Sequence, residues 1–259
     1  MNHNTPISLT ILTHNSLENL HKYFHWVDDC SVISEVVIID DDSKDNIQKE
    51  IKKVFPKTKV IFETRTLDGD FASQHSFAIS KTSNDWILWL DSDESASPDL
   101  ISFLNNFDSS KYNYSFKRLD TFLGKKLLHG ENYYNNFTRL FNKNYGTFMG
   151  KVHEHWQSSK PTTKTSLNIF HYPHPDLKTF FEKINNYSTM RAQELYENNA
   201  SVDMFDIILY PIVKFVQNYF LKLGFLDSTP GIIMALGLSF HSFLVRTKLW
   251  QLHSSKPLA

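Results

Sequence analysis

The chain has 259 residues, of which 41% are apolar, 14% aromatic and 21% charged. That is enough apolar material for the core of one α/β domain with an appendage, and it excludes a disordered chain. The 27 Lys and Arg against 28 Asp and Glu leave a formal charge of -1, which removes the basic footprint of a nucleic-acid binder. The one cysteine, Cys30, forms no internal disulfide and fits a reducing compartment such as the cytoplasm.

Met1 to Pro6 is polar, and the apolar stretch behind it is too short for a signal-peptide core. Strand-like and helix-like text then alternates. Ile7 to Leu12 is rich in β-formers, Leu17 to Trp26 has helical spacing, Val36 to Ile39 is wholly apolar and Ile47 to Phe55 is amphipathic. Lys59 to Phe62 and Trp86 to Leu90 complete the strands, with Phe71 to Ser80 as the helix between them. Runs apolar on both faces suit parallel strands covered by helices on both sides, so 1–110 reads as a doubly wound α/β half whose ligand binds at the carboxyl ends of the strands. From 111 to 176 short strand-like pieces rich in Tyr, Phe and Asn, with turns at Gly124, Gly130 and Gly146, predict a mixed α+β region of the same domain.

The remainder, 177–259, reads as helical. Leu177 to Asn198 is amphipathic, with Phe180, Ile184, Tyr187 and Leu195 near one face. Between Phe205 and Leu226 the polar residues Lys214, Gln217, Asn218 and Lys222 leave a wide apolar face, and Ser228 to Val245 has no formal charge beyond what His241 acquires. From Phe205 onward five Lys or Arg face two acids. A basic, amphipathic segment interrupted by Pro230 and Gly231 is marginal as a full span and fits the surface of an anionic membrane; packing on protein is the other reading.

Two strands end in carboxylates. Trp86 to Leu90 runs into Asp91-Ser92-Asp93-Glu94, and an Asp-x-Asp at a strand's carboxyl end can hold a hard cation that neutralises a diphosphate; a helix cap is the simpler alternative. Val36 to Ile39 runs into Asp40-Asp41-Asp42, which can accept hydrogen bonds from a base or ribose or form a solvated turn. Thr13, His14 and Asn15 at the end of the first strand can contact the same ligand or cap the next helix.

In order and spacing, Ile7 to Asn15, Asp40-Asp41-x-Ser43-x-Asp45, Asp70 to Ile79 and Asp91-Ser92-Asp93-Glu94 resemble glycosyltransferase family 2. Val152-His153-Glu154 and the block Pro211 to Lys248, with its Leu-Gly-Phe-x-Asp step at Leu223 to Asp227, are similar to the lipopolysaccharide-core β-1,4-glucosyltransferase branch. The resemblance covers nearly the whole chain. It implies a GT-A fold, a mostly parallel twisted sheet with flanking helices, and transfer of a hexose with inversion. Glucose from UDP-glucose would pass to a glycan or glycolipid such as lipopolysaccharide core at the inner face of the cell membrane, with Mn²⁺ or Mg²⁺ as cofactor.

Carried over by residue, Asp40 and Asp41 would contact the nucleoside, Thr13, Asn15, Gln74, Asp91 and Ser92 would complete the donor site, and Asp93 with Asp91 would hold the metal. Glu154 and His153 are the candidate bases for the acceptor hydroxyl, and Tyr133 or Tyr134 for stacking on the acceptor sugar. Asp42 stands where the family often has Gly, and His75-Ser76 where the branch often has Arg-Asn; Arg65 and Lys81 are the candidates for the missing charge. The rival readings are a zinc hydrolase built on His153, His155, His171 and His174, which lacks a His-Glu-x-x-His signature, and a glycan-binding protein without catalysis.

Overall fold

A computed structural model describes residues 5–107, 109, 111–131, 135–150, 154–174 and 176–254. The chain divides into two compact units, one of Met1–Arg118 with Asn135–His171, the other of Leu119–Tyr134 with Tyr172–Ala259.

The first unit opens with β1 (Ile7–Thr13), α1 (Leu17–Tyr23), β2 (Ile33–Asp40), α2 (Ile47–Val54), β3 (Lys59–Thr64), α3 (Phe71–Ser80) and β4 (Trp86–Asp91). The four strands are parallel in the order β3-β2-β1-β4. Ile7, Leu9 and Ile11, Val36 to Ile39, and Ile87, Leu88 and Leu90 are shut off from solvent. That is what a doubly covered sheet requires, and in β1 the small polar Ser8 and Thr10 between the apolar residues are buried as well. The helix expected to reach Trp26 ends at Tyr23 and is followed by a 3₁₀ turn at Val27–Asp29.

After β4 the pattern departs from the expected acidic tip. Glu94 is fully buried and begins a short strand, β5 (Glu94–Ala96), and Ser97 rather than the acids caps α4 (Pro98–Asn105) by accepting from the Leu100 N–H at 3.2 Å. The sheet continues with β6 (Asn113–Phe122), β7 (Lys125–Lys126) and β8 (Asn136–Asn142). A small antiparallel pair, β9 (Gly146–Met149) with β10 (His155–Ser158), precedes the long β11 (Thr162–His174). β8 pairs antiparallel with β4, and β11 antiparallel with β5, giving the path β3-β2-β1-β4-β8-β6-β11-β5. One aromatic cluster, Trp89, Phe141, Phe148 and Trp156, packs with Ile87 in the core of this unit.

The second unit contains α5 (Leu177–Glu197), α6 (Met204–Val216), a π-helical turn at Gln217–Leu221, a 3₁₀ turn at Gly224–Asp227 and α7 (Ser228–Ser254). Asp176 caps α5, and Asp203 with Asp206 forms a reciprocal capping box at the start of α6. The buried stripe of α5 is Phe180, Ile184, Ser188 and Ala192; Tyr187, expected on that face, is exposed because the four-residue spacing drifts past it. Phe122 and Leu127 from the β6–β7 hairpin pack with Phe180 and Ile184 and with Ile233, Met234 and Leu244 of α7. Asp227 ties the hairpin down: its carboxylate accepts from the backbone N–H of Leu128 at 3.1 Å and of His129 at 2.9 Å, and pairs with His129 Nδ1 at 2.8 Å.

Candidate functional site

The register of the parallel strands brings the polar tips together. Thr13 lies opposite Asp40 and Leu12 opposite Asp91, so the ends of β2 and β4 flank the end of β1. This is the edge where ligands of such sheets bind.

Around β2 the side chains brace one another. Both oxygens of the buried Asp40 are used: Thr13 Oγ1 donates to Oδ1 at 2.9 Å, and the Ser43 N–H to Oδ2 at 2.9 Å. Asn15 receives the Lys44 N–H at 2.8 Å on its side-chain oxygen, while its own N–H donates to Ser43 Oγ at 2.7 Å. Asp41 is less enclosed, with the Leu67 N–H donating to Oδ1 at 2.9 Å and His14 3.8 Å from Oδ2. A pocket of about 290 Å³ lies beside this edge, lined in part by Asp40, Asp42, Ser43, Phe62 and Thr64. Asp42 has φ +48°, a left-handed conformation that glycine enters freely and aspartate tolerates better than most residues. Its side chain is used as well, accepting from Thr66 Oγ1 at 2.6 Å.

Gln74 is buried on α3 and faces Arg65: its Nε2 donates to the Arg65 carbonyl at 2.6 Å, and Arg65 Nη1 donates back to its Oε1. Arg65 Nη2 donates to Ser73 Oγ at 2.8 Å. Lys81 is paired with Glu63 at 3.1 Å.

At β4 one arginine that the sequence reading missed organises the acids. Arg139 on β8 is buried, lies 3.8 Å from the Trp89 ring centre, and donates from Nη2 to both Asp91 Oδ2 and Glu94 Oε1 at 2.7 Å. Trp89 Nε1 donates to the other oxygen of Asp91 at 3.1 Å. Burial disfavours the Asp91 carboxylate, but Arg139, together with His75 and His171, outweighs it and holds the group at about 2. Burial drives the Glu94 carboxyl up to about 7, opposed by Arg139 and reinforced by the charge on Asp91. Burial also opposes the Arg139 charge, yet Asp91, Glu94 and Glu154 raise its affinity for the proton. The signal for Arg139 was present in the sequence: three adjacent acids on a buried strand end need a cation, and the question was only which one.

Asp93 is different. Its side chain is 28% exposed, no Lys or Arg pairs with it among the described residues, and His171 Nε2 lies 3.5 Å from its Oδ2. A carboxylate oxygen beside an imidazole nitrogen fits part of the shell of a divalent cation, whose other positions are commonly filled by substrate phosphates and water. Ser92 Oγ donates to Ser16 Oγ at 3.1 Å.

Glu154 is 3.8 Å from His75 Nε2. His75 is 1% exposed, stacks on Phe148 at 4.7 Å and leans on Trp89 at 4.2 Å, and its Nε2 has no hydrogen-bond partner. An aromatic slot thus fixes the imidazole that faces Glu154. His153, Tyr133 and Tyr134 lie outside the described residues.

Of the four histidines read as a zinc cluster, the three that are described have separate surroundings. His171 faces Asp93, His155 is exposed on β10, and His174 packs edge-on against Phe122 and Phe180 in the helical unit. Among the described residues no three His, Cys, Asp or Glu side chains gather as a metal cage.

Residues 8–167 match the sequence model described as Glycosyl transferase family 2. The chain is 25% identical over 264 residues to the glycosyltransferase RC0292 of Rickettsia conorii, covering 94% of this chain and 89% of that protein. It is 24% identical over 262 residues to the lipopolysaccharide core biosynthesis glycosyltransferase LpsC of Rhizobium meliloti, covering 97% and 94%. Among solved structures it resembles the mannosyltransferase PcManGT of Pyrobaculum calidifontis in complex with GDP-Man and Mn²⁺, with a TM-score of 0.54 at 9% identity over 98% of this chain and 89% of that one.

Proposed function

The chain belongs to glycosyltransferase family 2 and has the GT-A fold, and from that premise we propose that it transfers a hexose with inversion from a nucleoside diphosphate to a lipopolysaccharide-core glycan or glycolipid. Glucose from UDP-glucose is the donor on this reading. The observation that carries it is the division of labour among the acids: Asp40 and Asp91 are held by protein donors, whereas Asp93 and Glu154 are not.

Asp40 keeps Thr13 and Ser43 in place, so that Asp41 and Asn15 face the nucleoside from a rigid edge. Asp93, with His171 beside it, would hold Mn²⁺ or Mg²⁺, which supplies charge stabilisation for a departing diphosphate. Arg139 pairs with both Asp91 and Glu94, and this reduces the repulsion that two further acids would exert on the donor. Glu154, with His75 facing it at 3.8 Å, takes the proton of the acceptor hydroxyl as the acceptor oxygen bonds to the anomeric carbon and the bond to the diphosphate breaks. The relatedness to LpsC supports the acceptor class.

The helical unit faces the membrane on this reading. None of the residues of α6 is buried, and α7 lies in a stretch, Gly224–Ser254, long and apolar enough to cross a bilayer. Lys248 on α7 instead donates to Asn185, Ser188 and Thr189 of α5 at 2.7–2.8 Å. A helix so pinned to its neighbour lies on the surface with its partner.

Thermal shifts with UDP and GDP, each with and without Mn²⁺, test the donor site. Ligand at 100 times its Kd adds about 2.7 kcal/mol, several degrees for a chain of this size. A Mn²⁺-dependent UDP shift that Asp93→Ala loses while its unliganded melting is unchanged supports the assignment, and turnover retained by Asp93→Ala removes it. Glu154→Gln is expected to keep the shift and lose transfer; if it still transfers, Glu154 is not the base.

A further inference from the structure

The helical unit holds a cavity of about 400 Å³ walled by α5, α6 and α7. Its lining includes Arg191 from α5, Lys214 from α6, and His241 and Arg246 from α7, and no Asp or Glu among the described residues. Two of these cations have acid partners outside the lining: Lys214 is 2.7 Å from Glu131, and the exposed Arg191 is 2.6 Å from Glu194. Arg246 has none among the described residues. Its guanidinium lies 4.1 Å from the ring centre of Tyr210, which also lines the cavity. Stacking occupies the face of a guanidinium and leaves its N–H edge for an anion. Burial and the nearby charge of Lys214 and Lys248 disfavour protonation of His241, with Glu131 and the Tyr187 carbonyl opposing; a positive field of this kind is what an anion would relieve.

The same helix carries the apolar surface. Met204, Phe205, Ile208, Leu209, Ile212 and Val213 of α6 are each more than half exposed, Phe205 to 79%. Val213 belongs to this stripe and also lines the cavity, so the basic hollow opens beside the apolar face. A ligand matching both has a phosphate joined to hydrocarbon. We propose that this cavity is the headgroup site of an anionic phospholipid, its phosphate bound by Arg246 with Lys214 and Arg191 and its chains lying along the apolar face of α6. The proposal rests on the membrane-surface reading above and adds a specific site to it.

The test is cosedimentation with vesicles of phosphatidylcholine alone and with about 30 mol% phosphatidylglycerol, at about 0.15 M salt, where diffuse attraction is damped. The wild-type chain is expected to prefer the anionic vesicles. Arg246→Gln should weaken that binding about fivefold, the contribution of one basic residue at such a surface, and Lys178→Gln, an exposed charge on α5 outside the cavity, should leave it unchanged. An unaltered melting temperature and helix content show that Arg246→Gln is folded. If the wild-type chain binds neither vesicle, the membrane reading fails and the lipid site with it. If it binds and Arg246→Gln matches it, or Lys178→Gln loses as much, the membrane reading stands and the cavity assignment is overturned. A thermal shift with glycerol 3-phosphate in the absence of vesicles, lost in Arg246→Gln, would assign the cavity to a soluble phosphate instead of a lipid.

Discussion

At the scale of single residues, the molecule places charges where their partners are already fixed. Glu35 at the start of β2 is buried, accepting from Ser8 Oγ at 2.7 Å, Lys59 Nζ at 2.8 Å, and both the N–H and Oγ of Ser83 at 2.6 Å. Burial pushes its carboxyl up, but these donors prevail and bring it to about 2 from 4.5. A carboxyl lowered on folding stabilises the protein above its unfolded value and loses that contribution as pH falls through the folded one. The drop corresponds to about 3 kcal/mol at neutral pH. Urea unfolding of Glu35→Gln should therefore show a loss of that order at pH 7 and a much smaller one near pH 2, with the wild-type chain steeper between about pH 4.5 and 2. Equal losses at both pH values would mean that shape, not charge, is what Glu35 supplies. Asp42 shows the same economy in backbone form: a left-handed turn usually given to glycine is held by an aspartate whose side chain bonds to Thr66.

At the scale of elements, α7 is held against α5 by absence of a side chain. A Cβ at Gly237 would collide with the Phe180 ring and stand 3.2 Å from Ile184 Cδ1. Alanine in a helix interior gains about 1 kcal/mol over glycine, while overpacking a buried contact costs about 1–3 kcal/mol. Gly237→Ala is expected to lower stability by up to about 2 kcal/mol; a rise in melting temperature would contradict the packing of these two helices. The elements themselves were largely legible, because Val36 to Ile39 and Trp86 to Leu90 are buried on both faces and write themselves as unbroken apolar runs, while Ile7 to Leu12 is marked by its β-formers. The acid-tipped ends of β2 and β4 were legible for the same reason. What escaped was long-range pairing. Glu94 reads as the third acid of a tip, and its burial in β5 follows only from the antiparallel register that sets it opposite His171. Arg139 stands in an Asn- and Phe-rich strand with no local mark of its role, since its partners are 45 and 48 residues away.

At the scale of the whole molecule, composition and compactness divide the chain differently. Apolar content and aromatic spacing change near 110 and 176, but the hairpin within Leu119–Tyr134 belongs with the C-terminal helices, through contacts such as Leu128 with Asp227, 99 residues apart. Composition carries no trace of such pairings. The consequence can be tested by ending the chain after Asn199. That removes Asp227, the Lys222 carbonyl that accepts from the Gly130 N–H at 2.9 Å, and Ile233, Met234 and Leu244, which cover Phe122, Leu127, Phe180 and Ile184. Each fully buried side chain of this kind contributes about 1.5–3 kcal/mol, so uncovering four of them removes an amount comparable with the whole stability of a domain, about 5–15 kcal/mol. The shortened chain is expected to exchange amide hydrogens rapidly from Leu119 to Glu131, to bind apolar dye and to aggregate. Phe205→Ser with Ile212→Ser, on the exposed face of α6, should leave the melting temperature of the full chain nearly unchanged, because more than half of each side chain already faces solvent. Unchanged protection of the hairpin in the shortened chain would show that it folds with 1–118 and 135–171, and the two-unit division would have to be redrawn.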